Sequence, residues 1–198
     1  MREGKAKVLS SEEFARLMRV VAVEMYPERN AAVMMLSFGL GLRVSEIASL
    51  RVIDVMADDG HLRDHFQIKK RNSKTRQNRE VFLSNMKVRK SLMVYLDHRR
   101  NCDGAAFNMN APLFKTQKGM VFTGNSLQQV MKRLFRKAGL PEQVSSHSGR
   151  RGFATKLISS GVDIKSVSVL MGHSNISQTA SYAETNPVML QLVAAQVL

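Results

Sequence analysis

The residues of this chain that could do chemistry stand in two places. In the last third come His147-Ser148-Gly149-Arg150, then Leu170-Met171-Gly172-His173, then Tyr182, nine positions beyond that histidine. Upstream, Gly39-Leu40-Gly41-Leu42-Arg43-Val44-Ser45-Glu46-Ile47 carries Arg43 with Glu46 three positions on, and a basic run holding Lys70 and Lys74 lies between the two places. Each motif alone is weak, because a His-x-x-Arg pair recurs by chance and a lone histidine is more often structural than catalytic. The ordered set is a far rarer coincidence. Guanidinium groups grip oxyanions through paired hydrogen bonds, histidine exchanges protons near neutral pH, and a tyrosine among cations can act as a nucleophile. Those types together suit attack on a phosphate ester.

The charge agrees with such a substrate. The 198 residues include 30 Lys plus Arg against 16 Asp plus Glu, a formal net charge of +14. Such an excess favours a polyanionic partner, nucleic acid first and an anionic membrane second. A hydrophobic fraction of 44% and a charged fraction of 23% exclude disorder as a description of the whole chain, and the length fits one ordinary domain. The single cysteine, Cys102, cannot pair within the chain, and no Cys/His spacing offers a zinc site, so neither a disulfide framework nor a metal is expected. No apolar run reaches the roughly 18 residues of a membrane span, and Met1-Arg2-Glu3-Gly4-Lys5 is no signal segment. The expected location is the cytoplasm.

The elements that must position these residues read as mainly α-helical with a small antiparallel β-sheet, an α+β class. Ser10-Ser11-Glu12-Glu13 has capping-box spacing, and Phe14, Leu17, Val20, Val21 and Val23 follow at helical spacing. Residues 29–38 are apolar on nearly all sides and read as a buried helix ending at Gly39-Leu40-Gly41, with a short second helix from Leu42 running into Val52-Ile53-Asp54-Val55. Between His61 and Leu83 a hairpin is expected around Lys70-Arg71-Asn72-Ser73-Lys74-Thr75. From 61 to 90 there are ten Lys or Arg against Asp64 and Glu80, a surplus of 10 − 2 = 8, which reads as a phosphate-facing surface. Lys69, Lys70, Arg71 and Arg76 of that run are candidate DNA contacts. Helical spacing returns at Val88, Leu92, Tyr95 and Leu96; Leu113-Phe114 reads as a short strand. Ser126 to Gly139 is an amphipathic helix whose Lys132 and Arg133 are further candidate DNA contacts, and the remainder is expected to be helical with breaks at Gly161, Gly172 and Pro187. Tyr26 and Tyr95 fall at packing positions, and the thirteen methionines read as core filler.

From about Ser10 to Tyr182 the order of these motifs resembles the catalytic domain of the tyrosine recombinase, or phage integrase, family. The resemblance implies that Arg43 is the first arginine, His147 and Arg150 the His-x-x-Arg pair, His173 the later histidine and Tyr182 the nucleophile. It also implies a hairpin lysine. Lys74 fits best, because Lys74-Thr75 leads into Arg79-Glu80-Val81-Phe82-Leu83 as the family's lysine precedes an Arg-x-Val-Pro-Leu strand; Lys70 is the alternative. Two departures are visible, Arg151 where many members carry histidine and Phe82 where proline is common. The implied activity is cleavage and rejoining of double-stranded DNA through a covalent 3′-phosphotyrosine, without cofactor, by a homo-oligomer, a tetramer in the synaptic complex, with accessory DNA-bending proteins as further partners.

Physical chemistry supports these roles beside the resemblance. Two arginine forks, Arg43 and Arg150, could hold the extra negative charge of a five-coordinate phosphorus without a metal. Nearby cations favour the phenolate of Tyr182, and a hairpin lysine could protonate the leaving 5′-oxygen. His147 and His173 would donate hydrogen bonds or move protons, and Glu46 shares a helix face with Arg43 and could hold it in place. Two alternatives stay open, a type IB topoisomerase-like enzyme and a DNA-binding regulator without catalysis. Residues 1–198 are expected to be one catalytic domain, and the apolar stretch 187–198 an exchange helix given to a neighbouring subunit. The separate N-terminal core-binding domain of the family is not in the sequence, so the chain is either a short member or a catalytic fragment, with weaker DNA affinity than a two-domain clamp.

Overall fold

The computed structural model describes residues 6–68 and 78–182. Helix α1 (Ser11–Val23) starts where Ser10 and Glu13 cap each other: the Ser10 hydroxyl accepts from Glu13 N at 3.1 Å and the Glu13 carboxylate from Ser10 N at 2.9 Å. Its buried stripe, Leu17 and Val21, rests against α2 (Pro27–Leu40). Helix α2 is the central one. Ala32, Val33, Met34 and Leu36 are buried, and α1, α3 (Val44–Ser49), α5 (Met86–Asp103) and α7 (Ser148–Ser159) all pack on it, which is why its sequence lacks a polar face. It ends at Gly41 with φ 63°, a left-handed turn that also leaves no room for a side chain, since a Cβ there would lie 2.6 Å from the Phe153 ring.

The expected second helix is two. Helix α3 begins at Val44 and stops at Leu50, whose backbone is extended, and α4 (Val52–Val55) restarts after Arg51. Strands β1 (His65–Ile68) and β2 (Arg79–Phe82) pair antiparallel in the register His65 with Phe82 and Ile68 with Arg79. Phe66 and Ile68 on one strand, Arg79 and Val81 on the other, face inward, so the hairpin has one buried face and one wet face. The expected strand at Leu113-Phe114 is absent: Pro112 and Lys115 make isolated bridges to Arg51 and Val121, and Leu113 N donates to Leu50 O at 2.7 Å. Both Leu113 and Phe114 are fully buried, so no side chain alternates outward as a half-exposed strand requires.

Helix α6 (Gly124–Lys137) buries Leu127, Met131, Leu134 and Phe135 and exposes its basic face. The segment after it is not helical up to residue 147; a turn from Pro141 to Val144 leads to α7. Helices α8 (Ile164–Met171) and α9 (Ile176–Ala180) complete the described chain. A second, small apolar cluster of Ala154, Val167 and Met171, with Phe153, Leu157, Ile158, Val162 and Tyr182 packed on it, ties α7, α8 and the Tyr182 turn together.

Candidate active site

Arg43 caps the N-terminus of α3, immediately after the left-handed turn at Gly41. Glu46, one turn on, reaches back with both oxygens: Oε2 accepts from Arg43 N and Oε1 from Arg43 Nη1, each at 2.8 Å. Its side chain is 1% exposed, and Oε2 also accepts from Arg79 Nη2 at 2.6 Å. One buried carboxylate therefore serves two guanidinium groups. Glu46, expected on the same helix face as Arg43, touches both its backbone N and its guanidinium.

Arg150 projects from α7 into the same space. Its Nη1 donates to Gly41 O at 2.7 Å and its Nη2 to Met171 O, so it ties the end of α2 to the end of α8. The crossing that brings it there is close: a Cβ on Gly149 would collide with Ser37 Oγ and come within 3.0 Å of Phe38. Arg150 is buried, and burial first, then the charges of Arg43 and Arg79, pulls its pKa down to about 9. It remains a cation at neutral pH. Three guanidinium groups thus surround one carboxylate, Glu46, and the surplus of positive charge in a partly dry space is what an oxyanion would neutralise.

The C-terminus of α8 aims His173. Gly172, with φ 60°, donates to Val169 O, and His173 N reaches back to Ser168 O at 3.0 Å, the wrapped end that a left-handed glycine allows. His173 Nδ1 lies 2.7 Å from Oγ1 of the fully buried Thr179, which leaves Nε2 as the nitrogen for a substrate. Burial, then Arg150, Arg43 and Arg79, pushes the His173 pKa down to about 4, so the imidazole is neutral at physiological pH. The Tyr182 ring stacks on that imidazole with centroids 5.8 Å apart and planes at 27°, and Tyr182 N donates to Thr179 O. Arg43, Glu46, Arg150, His173 and Tyr182, far apart in sequence, share one site.

His147, exposed at the N-cap of α7, lines a cleft of about 200 Å³ with Ala6, Arg151, Ser181 and Tyr182. A larger groove of about 380 Å³ is lined by other residues, among them Phe82, Phe153 and Leu157. Lys69, Lys70, Arg71, Lys74 and Arg76 lie outside the described residues, as does the stretch 187–198. Lys132 and Arg133 are exposed on α6, whose first turn packs on α3, with Gly124 against Ser45. Among the described residues no three His, Cys, Asp or Glu side chains gather as metal ligands, and no helix is long and apolar enough to cross a membrane.

Sequence reasoning missed Arg79 and Thr179. Arg79 carried a usable signal: strand alternation puts it on the same face as Val81, and a charge on an apolar face needs a buried partner. Thr179 carried none, since its contact to His173 depends on how α9 folds back on α8.

With this geometry in hand, comparison with known proteins is specific. The sequence pattern of the phage integrase family matches residues 7–188. The chain is 30% identical over 185 residues to the tyrosine recombinase XerD of Oceanobacillus iheyensis, covering 93% of this chain and 59% of that protein. It is 32% identical over 178 residues to XerA of Thermococcus kodakarensis, covering 90% and 58%. The chain therefore spans little more than half the length of these relatives. Among solved structures, a XerA recombinase superposes with a TM-score of 0.75 at 25% identity, over 98% of this chain and 66% of that one. The Tn1549 transposon integrase, solved with circular intermediate DNA, shares the fold at a TM-score of 0.79 and 18% identity, over 100% of this chain and 69% of that one.

Proposed function

This chain belongs to the phage integrase family, and from that premise we propose that it is the catalytic part of a site-specific recombinase that cleaves and rejoins DNA through a 3′-phosphotyrosine at Tyr182. The observation that carries the reading is the Tyr182 ring stacked on a neutral His173 beside Arg43 and Arg150, a nucleophile next to a cation-rich space with one balancing carboxylate. Arg43 and Arg150 hold the non-bridging oxygens of the scissile phosphate and stabilise the charge that grows there. His173 donates from Nε2 to the same phosphate. Tyr182 attacks phosphorus, the 5′-oxygen leaves, and the phosphotyrosine bond keeps the energy for religation.

The leaving oxygen takes its proton from the hairpin lysine, Lys74, with Lys70 the alternative, and His147 donates a hydrogen bond to the phosphate or assists proton movement. Lys132 and Arg133, with Lys69, Lys70, Arg71 and Arg76, grip the duplex backbone. The partner is double-stranded DNA in the cytoplasm, engaged as a tetramer in which residues 187–198 pass to a neighbouring copy, with DNA-bending proteins as accessories.

The test is relaxation of supercoiled plasmid in the presence of a chelator, wild type beside Tyr182→Phe, with detergent-stable protein–DNA adducts scored on the same samples. The expected result is relaxation and adducts from the wild type alone, with DNA binding by both. Adducts from Tyr182→Phe at the wild-type level would remove Tyr182 as nucleophile. A wild type that binds its site without cleaving would return the chain to a DNA-binding role.

A further inference from the structure

Arg79 is assigned no catalytic step above, yet it is buried and doubly hydrogen-bonded beside the residues that are. It opens β2, opposite Ile68, at the end of the strand from which the chain 69–77 departs. Its side chain is 5% exposed and spans two partners: Nη2 donates to Glu46 Oε2 and Nη1 to Leu170 O, each at 2.6 Å. Its aliphatic part lies against Gly172, where any Cβ would collide with Arg79 Cδ. The neighbouring carbonyl, Met171 O, is taken by Arg150. The last two carbonyls of α8 before the His173 turn are thus each occupied by an arginine from another element, at the helix end where partial negative charge favours a cation.

Arg79 joins three parts of the site: Glu46, which contacts Arg43; the end of α8, which aims His173; and strand β2, which follows residues 69–77. Two further facts fit this role. Burial lowers the Arg79 pKa, so the charge is kept in a dry place at a cost, and its Nε has no hydrogen-bond partner.

We propose that Arg79 is a positioning residue for strand cleavage, a clamp that sets Arg43 through Glu46 and His173 through the end of α8. This rests on the recombinase reading above. A lysine at this place keeps the charge but replaces the planar fork that reaches both acceptors with one compact head.

The experiment compares wild type, Arg79→Lys and Arg79→Gln in single-turnover cleavage of a nicked recognition site, with DNA affinity and melting temperature measured on the same preparations. Both variants should cleave about a hundredfold more slowly, since small misplacement of catalytic groups costs that much, while binding DNA within about twofold of wild type. Amide exchange on the free proteins should show Gly172 and His173 losing protection in the variants while α5 amides keep theirs. In Glu46→Gln the further change to Arg79→Lys should add less than its own effect, because both act on Arg43. A folded Arg79→Lys that cleaves at the wild-type rate overturns the proposal, and so does unchanged protection at Gly172 and His173. If both variants fail to fold, Arg79→Ala assayed with added guanidinium decides: recovered cleavage supports the clamp, none overturns it. A wild type that forms no adduct refutes the recombinase reading itself, and the exchange measurement still judges the clamp.

Discussion

Replacing Glu46 by Gln probes the electrostatic balance of the site while hardly changing its shape. The carboxylate accepts three hydrogen bonds, two from Arg43 and one from Arg79, and its side chain is 1% exposed. The amide keeps one acceptor oxygen and turns an NH2 group toward donors that have nothing to offer it. At least one charge-assisted bond is lost, and the buried Arg79 is left without a counter-charge. Removing one partner of a buried ion pair costs about 3–5 kcal/mol. At about 2.1 cal/mol/K per residue, the 198 residues have an unfolding entropy near 0.42 kcal/mol/K, so the melting temperature should fall by about 7–12 °C. Urea unfolding followed by circular dichroism gives the free energy directly, and the slope with denaturant should not change. Because the variant gains net positive charge, sulfate should restore more stability to Glu46→Gln than to the wild type. A loss below about 1 kcal/mol, or equal benefit from sulfate, would refute the view that one carboxylate balances the three arginines.

Other outcomes follow from the same geometry. His173 is neutral in the fold, with its pKa moved from 6.5 to about 4, so the unfolded chain binds a proton first as pH falls. Stability should therefore drop between about pH 6.5 and 4, and His173→Gln should flatten that part of the curve; an unchanged curve would place the imidazole in water. Lys132→Ala and Arg133→Ala should each weaken DNA binding on all sequences alike and reduce the slope of log affinity against log salt by about 1, read by fluorescence anisotropy at several salt concentrations. Gly149→Ala should cost about 1–3 kcal/mol in thermal unfolding, because its methyl must push α7 off Ser37 and Phe38 of α2; a loss within error would mean the crossing is loose.

Several elements whose signals lie among near neighbours were legible in the sequence alone. The capping box at Ser10, the all-round apolar α2, the amphipathic α6 and the glycine ends at Gly41 and Gly172 are local patterns, and each is where the spacing put it. Arg43 with Glu46 is local too, one turn of helix. Sequence reasoning failed where a segment is shaped by what surrounds it: Leu113 and Phe114 look like a strand but are buried between isolated bridges at Pro112 and Lys115, the helix expected from Leu42 breaks at Leu50, and 139–147 lies in turns and irregular chain. The tertiary structure alone decided that Glu46 serves two arginines, that Arg79 and Arg150 take the free carbonyls of α8, and that Thr179 holds His173 against Tyr182. These contacts join positions up to 109 residues apart, as between Arg150 and Gly41, and no local periodicity encodes them. They exist because buried charges and helix-end carbonyls must find partners, and only the packed chain determines which partners are within reach.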